Sequence, residues 1–156
     1  MTTIEQRLEE KGIEIPRAQR PLAAHLPLVI SGNLAFVSGH GPMDSDRVPV
    51  FTGPVGSAHT EEEGRSAARL SVLNALASLR AAIGSLDNVR RVVRLTGYVL
   101  SAPGFERQPW VVDGASDLLV EVFGPERGAH ARTSVGVPDS GLQLTVTIET
   151  IFEVDA

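Results

Sequence analysis

From Leu142 to Val154 the chain alternates. Leu142, Leu144, Val146, Ile148, Phe152 and Val154 share one parity; Gln143, Thr145, Thr147, Glu149, Ile151 and Glu153 share the other. Successive side chains of a strand point to opposite faces, so one face of any sheet holding this strand must be core and needs a covering layer. The second face mixes threonine, glutamine, glutamate and isoleucine, which suits neither open water nor a hydrophobic interior. The pattern therefore predicts a sheet with helices on one side and neighbouring copies of the chain on the other.

Two helical stretches can supply the cover. Thr60-Glu-Glu-Glu63 is a capping box, in which the threonine hydroxyl and the third glutamate satisfy backbone N–H groups of the first turn, and the acids suit the helix dipole. Val72, Leu76, Leu79 and Ile83 follow at helical spacing, Ala67, Ala75 and Ala82 permit close approach to a sheet, and Gly84 ends the helix. Trp110 to Phe123 carries Val111, Ala115, Leu118, Leu119 and Val122 on one stripe, with Gly124-Pro125 as its stop. Val29-Ile30 and Leu34 to Val37 are β-type runs around Gly32-Asn33, a pair suited to the positive φ angles of a hairpin turn. Arg91 to Leu100 and Ala131 to Val137 also read as strands, and a helix between strands implies a crossover. At the start, Thr2 with Glu5 or Thr3 with Gln6 caps a short amphipathic helix that ends at Gly12 and reads as a flap. The proline-rich segment Ile13 to Leu28 reads as an extended lead-in expected to carry little chemistry. The expectation is one α+β domain over residues 1–156, a two-layer sandwich with a mixed sheet and two helices on one face.

Composition removes several function classes. A chain of 156 residues with net charge −5 lacks the diffuse positive field on which most nucleic-acid binders depend, so a nucleic-acid partner is not expected. Without cysteine there is no thiol nucleophile, disulfide or cysteine-ligated metal. The acidic first residues lack the order of a signal peptide and no apolar run reaches membrane-spanning length, which predicts a soluble cytoplasmic protein.

Arg132 stands inside a strand among small and apolar neighbours. A guanidinium is planar, permanently charged and forks two N–H donors at an anion, so a strand that accommodates one has an anionic partner for it. That partner is either a ligand or an internal acid, Glu149 or Glu121. His40 follows a strand in a glycine-rich loop and could change charge near neutral pH. His59 and His130 have no partner at metal-ligand spacing. Arg90, Arg91 and Arg94 form a small basic cluster that reads either as a place to meet an anion or as a solvated, aggregation-guarding strand edge, and Trp110 reads as a packing or interface anchor.

Over nearly its whole length the chain resembles the Rid family, also called the YjgF-type or L-PSP family. Ser31-Gly-Asn-Leu-Ala-Phe-Val-Ser-Gly39 looks like the family's first hairpin, Glu63 to Gly84 with Asn74-Ala-Leu like its long helix, and Arg91 to Val99 like its middle strand. Most specific are Ala131-Arg132-Thr-Ser-Val-Gly-Val137 and Thr147-Ile-Glu149-Thr-Ile151, similar to the family's arginine-bearing strand and closing glutamate strand. The longer N-terminus and Asp113 to Gly124 look like a longer-chain subgroup.

The resemblance implies a chorismate-mutase-like fold, a homotrimer with clefts between subunits, and hydrolysis of enamines and imines such as 2-aminoacrylate to a 2-oxo acid and ammonia, with no cofactor and no metal. Carried over residue by residue, Arg132 would bind the substrate carboxylate, Glu149 would position or activate the attacking water, and Ser38, Gly39, His40 and Ser134 would line the pocket. The departures bear on substrate choice: His40 stands where many members have glutamine, Ser134 where the prototype has cysteine, Asp113 where a helix asparagine is common, and His25 near an N-terminal tyrosine. A non-catalytic binder of small carboxylates and an RNA-cleaving protein, as the family's older name suggests, are the competing functions.

Overall fold

The computed structural model describes residues 1–20 and 23–155; Pro21 and Leu22, in the expected lead-in, lie outside the described residues. Elements run α1 (Ile4–Lys11), β1 (Leu28–Ser31), β2 (Leu34–His40), α2 (Glu61–Ile83), β3 (Val89–Leu100), α3 (Gln108–Gly128), β4 (Ala131–Val137) and β5 (Val146–Val154), the predicted order. The strands form one mixed sheet in the order β1-β2-β5-β3-β4. Only β3 and β4 pair in parallel, across the crossover that α3 provides. The other neighbours are antiparallel.

The two long helices cover one face. α2 lies over β2 and β5, and α3 over β3 and β4. Leu76, Leu79, Leu118, Leu119, Leu95, Ile148 and Phe152 are fully buried between the layers. The opposite face keeps Phe36 at 44% exposure and Val29 at 53%, so a substantial apolar area is left without cover by this chain.

Local chemistry explains most boundaries. Thr60 and Glu63 form the reciprocal cap of α2, and Thr3 with Gln6, rather than Thr2 with Glu5, caps α1. α1 is not a flap. Its first N–H groups donate to Asp87 Oδ1, at 2.6 Å from Ile4 N, while the Glu5 carboxylate accepts from Leu86 N at 2.9 Å. Ile4 and Leu8 are buried, so the helix is pinned at both its polar end and its apolar face. In the β1–β2 hairpin the positive φ falls on Gly32 and not on Asn33.

Two boundaries differ from expectation. Gly124 interrupts the helical backbone with φ 83° and ψ 168°, yet a further turn follows to Gly128 and α3 is longer than predicted. The last strand begins at Val146 rather than Leu142. Leu142 and Gln143 both take φ 56°, a left-handed conformation costly for residues with a Cβ, and Leu142 is 70% exposed. Pairing with the loop before α2 dictates this: Gly53 N donates to Gln143 O at 2.8 Å and Thr145 hydroxyl donates to Gly53 O at 2.9 Å.

Candidate functional site

Arg132 lies on the edge strand β4. It pairs in register with Leu95, whose side chain is buried under the helices, so the guanidinium faces α3. Its Nη1 donates to Asp113 Oδ1 at 2.6 Å and to Ser116 Oγ at 3.2 Å, and its Nη2 donates to Pro109 O at 3.3 Å. The internal partner is therefore Asp113, one turn into α3, and not Glu149 or Glu121; Glu121 pairs instead with Arg69 at 3.5 Å. Three N–H groups of Arg132 are engaged, and its Nε–H and the second Nη2–H have no acceptor among the described residues. The side chain is 24% exposed. The geometry is that of a fork held rigidly by one edge with the other edge at the rim of the sheet.

Beyond Ser116 the network continues to His130. Nδ1 of His130 lies 2.6 Å from Gly128 O and must donate to it, so Nε2 accepts from the Ser116 hydroxyl at 2.9 Å. Burial, and to a lesser degree the Arg132 charge, push the pKa of His130 down against the effect of the Gly128 carbonyl. A neutral imidazole is what the network requires. Ser134, two residues on and facing the same way, has a buried hydroxyl with no partner among the described residues.

Glu149 sits elsewhere. It pairs in register with Thr96, and Thr96 with Thr133, the row next to that of Arg132, so it faces the open side of the sheet. Arg132 and Glu149 are thus on opposite faces and this chain alone does not bring them together. Tyr98 donates to the Glu149 carboxylate at 2.9 Å, and this bond, with burial and the carboxylate charge, raises the tyrosine pKa. Glu149, Arg94, Thr96, Phe36 and Ile151 line a hollow of about 250 Å³ on the open face.

Ser38 and Gly39 do join Glu149. Val37 pairs with Thr150 and His40 with Ile148, so Ser38 and Gly39 together oppose the single Glu149 in a β-bulge, which leaves part of the ladder unpaired. There a second cavity of about 110 Å³ opens, lined by Ser38, Gly39, His40, Arg47, Thr147 and His25. Only a glycine fits at position 39 without displacement, since a Cβ would stand 3.0 Å from the Thr147 methyl.

His40 is fully engaged. Its Nδ1 lies 2.6 Å from Ser38 O and its Nε2 2.8 Å from the Ser78 hydroxyl, so the ring donates to the first and accepts from the second. Burial pushes its pKa below the ordinary histidine value, and nearby Arg47 adds to the effect. The expected switch near neutral pH is replaced by a neutral ring that braces the bulge.

The contacts of several residues were not foreseen from the sequence. Ser71, Asn74 and Ser78 form a polar stripe along the buried side of α2: Ser71 donates to Val146 O, Asn74 to Gly41 O and Met43 O, and Ser78 to His40. Their i, i+3, i+7 spacing in an otherwise apolar face was the available signal. Arg94, Thr96 and Tyr98 share the parity that faces Glu149, and Arg94 donates to Thr133 rather than standing in solvent. The lead-in brings Gln19 and His25 to the wall of the cavity of about 110 Å³. Among the described residues no helix is long and apolar enough to cross a membrane, and no three His, Asp or Glu side chains converge on a common point.

The model of one protein family, described as "YjgF/chorismate_mutase-like, putative endoribonuclease", matches residues 5–150. Protein TCP17 of Trypanosoma cruzi is 39% identical over 148 residues, covering 95% of this chain and 92% of that protein. A crystal structure of Atu1372 from Agrobacterium tumefaciens, a protein of unknown function, is 41% identical, with a TM-score of 0.88 over 99% of this chain and 94% of that one. One of a "putative endoribonuclease" from Shewanella oneidensis MR-1 is 33% identical, with a TM-score of 0.92 over 98% and 100% of the two chains. With the family model matching residues 5–150 and a relative 39% identical over 95% of this chain, the chain belongs to the YjgF/chorismate-mutase-like family.

Proposed function

We propose that this chain acts in the cytoplasm as a single-domain subunit of a homotrimer and hydrolyses enamines and imines of the 2-aminoacrylate and 2-iminopropionate type at clefts between subunits, without a cofactor or metal. The observation that carries this reading is the Arg132 guanidinium, held by Asp113, Ser116 and Pro109 with its Nε–H and one Nη2–H left without an acceptor among the described residues. Such a fork fits a carboxylate, and fixing it in advance spares the ordering cost at binding.

Side chains on opposite faces of one sheet cannot hold one small molecule, so the site requires a second copy. The exposed apolar residues Phe36, Val29 and Val135 suit burial against that copy. With the β4 rim of one subunit laid over the open face of the next, Arg132 would meet Glu149, the Ser38–Gly39 bulge and the hollow between them. Held there by its carboxylate, the imine presents its carbon to a water on Glu149. The water oxygen bonds to that carbon while Glu149 takes the proton and passes it to the nitrogen, giving a carbinolamine. The C–N bond then breaks, the hydroxyl proton returns through Glu149 to the departing nitrogen, and ammonia and the 2-oxo acid result. Tyr98 holds the carboxylate in place by its hydrogen bond.

The test is turnover of 2-iminopropionate made in situ by an amino-acid oxidase, with pyruvate as readout and the oligomeric state measured by light scattering. Arg132→Ala should lose turnover by about 100-fold or more, the loss expected when a bidentate clamp disappears, with the trimer intact. Full activity in that variant, or a monomeric wild type, overturns the proposal. Stabilisation by pyruvate with no turnover would instead make the protein a carboxylate binder. The name carried by the Shewanella relative favours RNA cleavage, but a chain of net charge −5 opposes it. Cleavage of RNA that weakens steeply with salt would decide for it.

A further inference from the structure

Arg47 is the least explained residue near the Ser38–His40 cavity. It takes φ 64°, a conformation that side chains with a Cβ avoid, in a turn tied together by Asp44, whose Oδ1 accepts from Asp46 N and Val48 N at 2.9 Å each. Backbone strain of this kind persists where the surrounding structure demands a particular side-chain placement. Arg47 lines two cavities, the one of about 110 Å³ shared with Ser38, Gly39 and His40, and one of about 310 Å³ shared with Arg17 and Arg20. Nη1 is anchored on Arg20 O. Nε is buried and, among the described residues, neither Nε nor Nη2 has an acceptor.

A guanidinium with donors left over at a cavity wall offers charge-assisted hydrogen bonds, which are strongest to anions. The local charge points the same way. None of Arg17, Arg20 and Arg47 has a carboxylate within ion-pair distance among the described residues, and Asp46 is the only acid lining either cavity. In a chain of net charge −5, Arg17, Arg20 and Arg47 gathered at one place outnumber the acids beside them, Asp44 and Asp46, and leave a local positive field. The guanidinium also acts across the cavity on His40, whose pKa it helps to lower.

We infer that Arg47 grips a second anionic group, carboxylate or phosphate, on the ligand of the Ser38–His40 cavity, so that the protein prefers dianionic 2-oxo or 2-imino acids over monoanionic ones. The inference rests on reading that cavity as part of the ligand site; it does not depend on deamination. The smaller cavity has room for such a group, since one water occupies about 30 Å³ of liquid.

The test compares the affinities of pyruvate, 2-oxoglutarate and phosphonopyruvate for the wild type by calorimetric titration at fixed ionic strength. At least one dianion should bind about tenfold tighter than pyruvate, as one added charge-assisted bond implies; which one identifies the second group as carboxylate or phosphate. Arg47→Gln should erase the preference, and Arg47→Lys, which keeps the charge but loses the planar fork of donors, should retain only part of it. A urea midpoint near that of the wild type checks that each variant folds. No preference in the wild type, no binding of any of the three anions, or a preference that survives in Arg47→Gln overturns the inference. Loss of imine turnover in all proteins would sink the deaminase reading while leaving this result to stand by itself.

Discussion

Replacement of Gly114 by alanine puts the α2–α3 contact, and with it the anchor of Arg132, under a defined load. A Cβ at position 114 would stand 2.2 Å from Arg65 O and 2.8 Å from Arg65 C, both backbone atoms of α2. Carbon contacts settle near 3.5 Å, so the helices must part by roughly 1 Å. No rotamer change can relieve a clash with backbone. Overpacking of this kind costs about 1–3 kcal/mol, and the gain from removing a helical glycine returns up to about 1 kcal/mol. A net loss of about 2 kcal/mol lowers the melting temperature of a chain this size by about 4–8 °C. The functional consequence is larger. Pro109, Asp113 and Ser116, which hold the guanidinium, all ride on α3. A displacement of about 1 Å at a positioning group costs on the order of 100-fold in rate. Thermal melts and imine turnover of Gly114→Ala should therefore both fall, whereas Gly141→Ala, where a Cβ meets nothing within 4 Å, should change neither. A Gly114→Ala protein with wild-type melting temperature and full activity would refute the close helix approach and the coupling drawn from it.

Tyr98 is the chain's single tyrosine, so its ionisation can be followed directly by ultraviolet absorbance. It should titrate above pH 10.0, and Glu149→Gln should bring it back toward that value, because the carboxylate hydrogen bond is the main cause of the rise; an unchanged titration would mean that the pair does not exist in solution. His40 and His130 are both depressed below 6.5, chiefly by burial. Their contribution to stability is complete above pH 6.5, where folded and unfolded chains are both neutral. As pH falls through 6.5 toward the folded values the unfolded chain takes up protons first and stability declines, by at most about 1.4 kcal/mol per pH unit for each histidine. Urea midpoints at pH 7.5 and 5 should show this drop, and His40→Gln should reduce it; equal drops in the two proteins would reject the buried neutral ring.

The element order, both capping boxes and the covered face of the sheet were legible in the sequence because each is written locally. A capping box needs residues three apart, a helix its 3.6-residue period, and a strand its alternation. Arg132 could be singled out because a guanidinium is unusual inside such a strand, whereas Glu149, Ser38 and Gly39 were singled out by the family resemblance. What those residues touch was not legible. That Asp113 rather than Glu149 meets Arg132 follows from the register of β4 on β3 and from where α3 crosses them, both set by packing between distant segments.

The amino-acid order alone therefore determined which segments become helix and strand, which faces are apolar, and that an arginine and a glutamate occupy the last two strands. Tertiary structure decided that these two lie on opposite sides of one sheet, that a bulge joins Ser38 and Gly39 to Glu149, and that Leu142 and Gln143 are drawn out of the strand by the loop at Gly53. The reason is range: hydrogen-bonding preference and hydrophobic period act over a few residues, whereas register, crossing and cavity arise only when segments far apart in the chain compete for the same space.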